Sequence, residues 1–373
     1  MLSRFYVHNY KCFLNFEFSP VRSQLLIGRN GTGKSSVLEV LALLRLFLVD
    51  GIALVHLFPT RTLNFTQRIR TQRFELDVQC PEGLLTYVLE VDHEPDTGRS
   101  RVAREELLAG DAPLFQFIRG HVTLYHDNQQ KGPEFDLDWT RSGLFHVTPG
   151  PSNKRLTWFK EWIAKIQRVQ LNPFAMGSQA EREESTLYWN GSNFANWYRH
   201  QSQEDQRSLA QLFRNLSEVI DGFESFALVP AGENVRILRS VFPVSDGGAS
   251  PAIDQFVGFE QLSEGQKCLS VLYAVLIFSA RKGALLCFDE PNNFVALREV
   301  QPFLMELEKR SDKEECQVLV SSHHPELINY FASRDIFLLS REGVAPTTAR
   351  RMAFDPATGV SPAEMIARGW ENG

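Results

Sequence analysis

The sequence predicts an α/β fold with a mixed β-sheet, an N-terminal antiparallel β lobe and an inserted helical lobe. Three short apolar runs, at 25–27, 284–288 and 318–320, end in Gly or polar residues, as expected of parallel strands buried in a sheet. Within residues 62–92, apolar and polar side chains alternate around a Pro-Glu-Gly turn, which predicts an antiparallel hairpin. From 153 to 225 the spacing of apolar residues is near 3.6 and predicts helices, over 155–169 and 205–220.

Composition limits the class of protein. With 373 residues, of which 43% are hydrophobic and 23% charged, the chain can bury a large core as one domain with an insertion, or as two domains. The formal net charge of -6 disfavours a molecule whose whole surface binds nucleic acid, although a local basic face remains compatible with it.

The cysteines and the N-terminus predict a cytoplasmic protein. The five scattered cysteines favour buried, reduced thiols over a disulfide framework or a zinc site. The first residues lack the apolar core of a signal peptide, and no apolar run approaches the ~18 residues of a membrane span. We therefore expect no contact with a membrane.

The stretch "QLLIGRNGTGKSSVLEVLALL" carries the first functional pattern. Gly28, Gly33, Lys34 and Ser35 fit G-x-x-x-x-G-K-[ST] between an apolar strand and an apolar helix, the context that a phosphate-binding P-loop requires. Backbone N–H groups of such a loop surround phosphate oxygens, the lysine reaches the β and γ phosphates, and the Ser35 hydroxyl binds Mg²⁺. A Gly-rich turn with a merely solvated lysine fits this full pattern poorly. The predicted nucleotide-binding residues of this loop are Asn30, Gly31, Gly33, Lys34, Ser35 and Ser36.

Two acidic residues follow the second apolar run. Asp289 and Glu290 come directly after 284–288, where a parallel strand would end beside the P-loop. Asp289 is predicted to hold Mg²⁺ through water, and Glu290 to polarise the attacking water. An acidic pair at a solvated strand end is common by itself, so the prediction depends on the P-loop.

The third apolar run ends in "SSHH". His323 lies where α/β sheets place ligand-binding residues, and it is predicted to contact the γ-phosphate. A purely structural histidine is the alternative.

The stretch "LSEGQK" precedes an apolar helix predicted over 268–280. Ser263 and Gly265 would lie at the helix N-terminus, where unpaired N–H groups and the helix dipole favour an anion. A nucleotide already held by its own P-loop has little need of this group, so it is more economically assigned to a nucleotide of a second subunit. An ordinary serine N-cap is equally compatible with the sequence.

Taken in order, "GRNGTGKSS", "LSEGQ", "LLCFDEP" and "VLVSSHHPEL" resemble the motifs of an ABC-type ATPase, in the branch that includes SMC, RecF and OLD-type ATPases. The resemblance implies a P-loop NTPase fold with an ABC ATPase head, ATP and Mg²⁺ as cofactors, and a homodimer with composite ATP sites. It assigns Ser263, Gly265 and Gln266 to the partner's nucleotide and makes His323 the switch histidine. The implied lobes are 1–150 with the P-loop, 151–250 as the helical insertion, and 251–373 with the signature, acidic pair and histidine.

The chain departs from this family pattern in several places. Glu264 replaces the second Gly of L-S-G-G-Q, and "PNNFVALRE" after Glu290 lacks the usual Leu-Asp. "LYWNGSNFANWYRH" resembles the D-G-S-N-L-A segment of single-chain members, and "RGW" at 368–370 is similar to one of their segments. The Q-loop glutamine has no clear position, and Gln67 and Gln72 are the candidates.

Two groups of side chains leave alternatives open. An arginine cluster could track a phosphate backbone or form a solvated face with interleaved acids; its members are Arg61, Arg68, Arg70, Arg73, Arg99, Arg101 and Arg104. Four tryptophans favour the core of the helical lobe over base stacking; they are Trp158, Trp162, Trp189 and Trp197.

The resemblance implies an ATPase that dimerises around ATP and couples closure to DNA maintenance, repair or anti-phage defence, with a separate effector or nuclease and possible direct contact with DNA. The alternative is a nucleotide-gated binding module that holds a toxic effector and releases it, with slow hydrolysis as a timer. A transporter subunit is disfavoured by the insertion and by the RecF-like N-terminus.

Overall fold

The computed structural model describes residues 1–94, 96–244, 253–313, 316–332, 335–352 and 360–368. Contacts divide the chain into two compact units. The first unit comprises Met1–Ile166 and Gln317–Gly373, and the second comprises Gln167–Cys316. The first unit contains both ends of the chain. The three predicted lobes instead divide the chain into consecutive segments, and these lobes stay a prediction.

The described strands are β1 (Leu2–His8), β2 (Phe16–Phe18), β3 (Ser23–Gly28), β4 (Thr71–Cys80), β5 (Gly83–Glu94), β6 (Arg99–Ala109), β7 (Ala112–Ile118), β8 (His121–Tyr125), β9 (Lys131–Asp136), β10 (Ile166–Val169), β11 (Gln179–Ala180), β12 (Ser225–Pro230), β13 (Arg236–Val244), β14 (Ile253–Gly258), β15 (Ala284–Asp289), β16 (Cys316–Ser321), β17 (Asp335–Ser340) and β18 (Thr348–Met352).

The described α-helices are α1 (Lys34–Val49), α2 (Leu54–Leu57), α3 (Lys154–Ala164), α4 (Phe194–Glu204), α5 (Gln206–Ser217), α6 (Glu264–Ser279), α7 (Leu297–Asp312), α8 (Pro325–Phe331) and α9 (Pro362–Ala367).

The first unit contains an antiparallel sheet of eight strands in the order β2-β1-β4-β5-β6-β7-β8-β9. The predicted hairpin is β4 with β5, and its register runs from Thr71 opposite Asp92 to Cys80 opposite Gly83. Alternation of buried and exposed residues along β5 matches a sheet with one face on the core. The predicted antiparallel β lobe is confirmed, and it extends well beyond the hairpin.

The same unit contains the strands that lead to the predicted P-loop. β3 pairs in parallel with β16 on one side and with β17 on the other, and β18 pairs antiparallel with β17. Leu25, Leu26 and Ile27 are buried because helices cover a parallel sheet on both faces. The mixed sheet is therefore confirmed, and the carboxyl ends of β3 and β16 lie side by side.

The second unit combines helices with a small sheet. β13 pairs antiparallel with β11, β12 and β14, and β10 is the neighbour of β15 in strand order. α6 is buried along almost its whole length, and α5 is amphipathic with Leu212 and Leu216 buried. The helices predicted over 205–220 and 268–280 are confirmed as α5 and α6.

The helix predicted over 155–169 is only partly right. α3 ends at Ala164, and β10 begins at Ile166. The spacing of apolar residues cannot distinguish a short apolar strand from the end of a helix. Residues 166–169 form a strand because they lie next to β15 in the sheet.

Other predictions about the core are confirmed only in part. All five cysteines are buried thiols outside any disulfide, as expected. Trp162 and Trp197 belong to the core, but Trp189 is 51% exposed, so the prediction that it is a core residue is wrong. Residues 369–370 of "RGW" fall outside the described residues.

Candidate active site

The turn between β3 and α1 needs glycine at both ends. Gly28 has φ +150°, and a Cβ there would lie 2.3 Å from the Leu339 carbonyl oxygen. Gly33 has φ +98°, and its Cβ would lie 2.7 Å from the Cys12 Sγ. A side chain at either position would force backbone or core atoms apart, so the pattern read from the sequence also has a steric cause.

Lys34 is buried at the first position of α1. Its ammonium donates hydrogen bonds to the carbonyl oxygens of Gly28, at 2.7 Å, and Arg29, at 3.3 Å, which places the charge inside the turn. α1 begins without a side-chain cap and without an acidic residue in its first turn. The dipole end that contains Ser35 and Ser36 therefore favours an anion.

The outer part of the turn is supported by a distant threonine. The Thr347 hydroxyl donates to the Thr32 carbonyl oxygen at 2.9 Å, and the Thr347 N–H donates to the Cys12 carbonyl oxygen at 3.0 Å. Asn30 and Gly31 lie exposed at the tip. The six residues predicted for this loop thus lie on this turn and in the first residues of α1.

The two consecutive histidines have different positions. Ser322 donates its N–H to the Leu26 carbonyl oxygen at 3.2 Å, so the segment after β16 lies beside the end of β3. His324 is the N-cap of α8, where its Nδ1 accepts from the Glu326 N–H at 3.2 Å. His323 is exposed in the connection between β16 and α8. His324 therefore has a structural role as a cap, and both the γ-phosphate role and the structural alternative for His323 stay predictions.

In the second unit, Asp289 ends β15 with a fully buried side chain. Its Oδ2 lies 3.1 Å from the Nη2 of Arg168, in an ion pair that neutralises a carboxylate inside the protein. Glu290 follows it, half-buried, with φ +50°. A positive φ is uncommon for residues other than glycine and is concentrated at functional sites.

Ser263 caps α6 in the geometry of a capping box. The Ser263 hydroxyl accepts from the Gln266 N–H at 3.2 Å, and the Gln266 side chain accepts from the Ser263 N–H at 3.1 Å. The N-cap alternative accounts for these two contacts. The role toward a second subunit's nucleotide stays a prediction, and Ser263 is exposed as that role requires.

Gly265 has a steric role within the second unit. A Cβ at this position would lie 2.8 Å from the carbonyl oxygen of Phe294, which itself has φ +69°. The segment after Glu290 thus approaches the start of α6 more closely than any residue other than glycine would allow.

The sequence interpretation missed Arg168 and Gln170. Arg168 donates to the Gln170 Oε1 at 2.8 Å as well as to Asp289. Their position is set by β10, whose residues the sequence predicts as the end of a helix. The signal available in the sequence was "IQRVQLNP", a short apolar alternation that ends before a proline.

The two candidate Q-loop glutamines differ in exposure. Gln72 is fully buried, and its amide donates to the Asn9 carbonyl oxygen at 3.0 Å and the Thr62 hydroxyl at 3.1 Å. Its Oε1 lies 3.0 Å from the His93 Nε2, so the fold accounts for this side chain. Gln67 lies in an exposed loop.

The arginine cluster separates into two sets. Arg73, Arg101 and Arg104 form ion pairs with glutamates, as the interpretation of a solvated mixed face predicts. Within the described part of the chain, the side chains of Arg61, Arg68, Arg70 and Arg99 have no ion pair, and all four are exposed. The first three lie in one segment with the exposed Phe65 and Ile69.

The residues predicted for Mg²⁺ offer suitable chemistry. Ser35 supplies a hydroxyl and Asp289 a buried carboxylate, which is paired with Arg168 in this structure, and hard oxygen donors of this kind suit Mg²⁺. Over the ranges that the structure describes, no three His, Cys, Asp or Glu side chains group as metal ligands. That is compatible with a cation held by few protein ligands together with phosphates and water.

Among the described residues, no helix combines the length and the apolar character needed to cross a membrane.

Comparisons with known proteins give a family match over part of the chain. Residues 201–329, less than half of the chain, match the family described as "AAA domain, putative AbiEii toxin, Type IV TA system". No curated protein matches the chain.

Two solved structures cover almost the whole chain. One is an SMC head bound to the C-terminal winged-helix domain of ScpA; it is 12% identical with a TM-score of 0.55, and the alignment covers 96% of this chain and 99% of that one. The other is an SMC head with an extended coiled coil, bound to the C-terminal domain of ScpA, from Pyrococcus furiosus. It is 13% identical with a TM-score of 0.54, covering 96% and 98%. At such identity the likeness shows the fold: the chain has the fold of an SMC head, and the predicted fold class and resemblance are confirmed.

Proposed function

We propose that the chain is an ABC-type ATPase that binds ATP with Mg²⁺, closes as a homodimer around two nucleotides, and hydrolyses them. The observation that carries this proposal is the turn before α1, where a buried Lys34 ammonium lies at a helix N-terminus without a side-chain cap, an arrangement that favours an anion. In this proposal the phosphates take the place of the carbonyl oxygens that Lys34 contacts.

The other predicted residues act around this surface. Ser35 and Asp289 hold Mg²⁺, which neutralises phosphate charge when bound. Glu290 orients and polarises the attacking water, and His323 contacts the γ-phosphate. The φ of +50° at Glu290 supports a functional constraint at that position. From the partner subunit, Ser263, Gly265 and Gln266 contact the nucleotide.

We further propose that closure acts on DNA or on a protein effector in the cytoplasm. The exposed arginines of the 61–70 loop support contact with a polyanion. The solved SMC heads are bound to domains of ScpA, which supports a protein partner for this fold.

A second candidate is the nucleotide-gated module that holds and releases a toxic effector. The description of the family that matches residues 201–329 includes a toxin and a type IV TA system, which favours this candidate. In that case hydrolysis is slow, and turnover is insensitive to DNA. A turnover assay with and without DNA separates the two candidates.

The central test is Glu290→Gln. We expect this variant to bind ATP normally but to hydrolyse it slower by about two orders of magnitude or more, because the general base is lost. ATP should then trap a dimer, which light scattering measures directly.

Lys34→Ala is the matched control. It should lose both ATP binding and the ATP-dependent dimer, because phosphate charge is left uncompensated at the turn. Unchanged ATP affinity in Lys34→Ala, a wild-type hydrolysis rate in Glu290→Gln, or a monomer at saturating ATP would each contradict the proposal.

A further inference from the structure

The ion pair between Arg168 and Asp289 joins a predicted cation ligand to an existing positive charge. The Asp289 side chain is fully buried and that of Arg168 is 12% exposed, so neither charge is well solvated. A buried carboxylate requires a positive partner at all times. Arg168 supplies such a charge in this structure.

The contacts of Arg168 are incomplete for a structural arginine. One nitrogen, Nη2, donates to both Asp289 and Gln170, whereas a structural pair often uses two parallel hydrogen bonds. Its Nε is buried and has no hydrogen-bond partner among the described residues. A buried donor without a partner makes the ion pair of Arg168 with Asp289 less favourable. A competing cation can therefore replace the guanidinium at a low cost in free energy.

Arg168 also contacts an exposed aromatic side chain. Its guanidinium lies 5.4 Å from the ring centroid of Trp189, within the range of a cation–π interaction. Trp189 is 51% exposed, and its carbonyl oxygen accepts from the Gln170 N–H at 2.7 Å. A movement of Arg168 therefore changes the surroundings of an exposed aromatic side chain.

We propose that Arg168 is a positioning residue that occupies the Asp289 carboxylate until a divalent cation binds there, and that its release alters the contact with Trp189. This rests on the proposed function only in taking Asp289 as a cation ligand. The physical reason is exclusion by charge. Either a guanidinium or a divalent cation neutralises the carboxylate, but both together repel each other in a poorly solvated site.

The test measures Mn²⁺ binding to the full chain by electron paramagnetic resonance, at pH 8, with and without a non-hydrolysable ATP analogue. Arg168→Gln should bind Mn²⁺ about tenfold more tightly than the wild type, because a unit positive charge a few ångströms from the site is removed. Arg168→Lys keeps that charge and should stay near the wild-type affinity. Arg182→Gln is the matched control, an exposed arginine of the same unit paired with Glu184, and should not change Mn²⁺ binding.

Tryptophan fluorescence supplies a second readout that a purely structural role would not move. Mn²⁺ quenches directly, so Mg²⁺ is titrated here. Wild-type emission should change on Mg²⁺ binding, and the change should disappear in both Trp189→Phe and Arg168→Gln. Emission from the buried Trp162 and Trp197 should not respond.

Equal or weaker Mn²⁺ binding by Arg168→Gln overturns the inference, as does a Mg²⁺-dependent signal that persists in that variant. An Asp289→Asn chain with wild-type Mn²⁺ affinity overturns it as well. A different result would contradict the proposed function, namely a Mn²⁺ affinity that is the same with and without the ATP analogue. If Arg168→Gln still binds Mn²⁺ more tightly in that case, the inference stands and the ATPase proposal does not.

Discussion

Glu105 shows how a single buried carboxyl ties two parts of the first unit together. It lies on β6 with no exposed surface, and it accepts hydrogen bonds from the Ser142 hydroxyl at 2.6 Å and the Gly143 N–H at 2.8 Å. The Tyr87 hydroxyl donates to it at 3.2 Å. Burial raises the pKa of the Glu105 carboxyl from 4.5 to about 7, although these hydrogen bonds oppose that shift.

This raised pKa predicts a dependence of stability on pH. A folded-state pKa above the unfolded value contributes stability below pH 4.5 that is lost as the pH rises through about 7. The loss should reach about 3 kcal/mol in the free energy of unfolding, at 1.36 kcal/mol per unit. Glu105→Gln should flatten the stability curve between pH 4.5 and 7, measured by urea unfolding. Glu181→Gln, at an exposed site, is the control; a variant at Glu105 that keeps the wild-type slope refutes the assignment.

At the scale of elements, the backbone of the loop over 61–70 is held by hydrogen bonds of buried asparagines, while its arginine side chains are exposed. The Asn9 amide donates to the Ile69 carbonyl oxygen at 2.8 Å, and the Asn64 amide donates to the Lys11 carbonyl oxygen at 2.7 Å. Both asparagines are buried. The backbone is therefore fixed where Arg68 and Arg70 are exposed, which limits the conformational entropy that binding would cost.

Replacing Arg61, Arg68 and Arg70 together by Gln should weaken binding of duplex DNA, because up to three phosphate contacts are lost. The slope of log K against log salt concentration should fall by as much as about 3. Arg73→Gln is the control, since that arginine is already paired with Glu90 at 2.8 Å and should leave the slope unchanged. A wild-type slope in the triple variant would exclude this loop as the DNA contact.

At the scale of the whole molecule, the proposed dimer predicts complementation between two inactive chains. Lys34→Ala removes the P-loop charge, and Ser263→Arg blocks the signature that serves the partner's nucleotide. A mixed dimer holds one intact site, so mixing should restore up to about a quarter of the wild-type ATPase rate, as half of randomly paired dimers are mixed.

The capping box at Ser263 requires a control for stability. Ser263→Ala and Ser263→Arg both lose the cap, at about 1 kcal/mol, so thermal unfolding should be similar for the two chains. If the Ser263→Arg chain alone hydrolyses ATP at the wild-type rate, "LSEGQK" is an ordinary N-cap and does not serve the partner's nucleotide.

The sequence by itself determined the local parts of this protein. The turn before α1 could be predicted because strand, glycines, Lys34 and helix are contiguous, and backbone sterics restrict which residues can form such a turn. The hairpin of β4 and β5 could be predicted for the same reason, since its alternation and its turn lie within one stretch of chain.

Only the tertiary structure decided the rest, because those contacts join residues far apart in the chain. Arg168 and Asp289 are 121 positions apart, and no spacing rule links them. The two adjacent histidines look alike in sequence, and hydrogen bonding assigns His324 to the cap of α8. β10 became a strand because β15 is its neighbour, since a short apolar segment takes the backbone conformation that its partners stabilise.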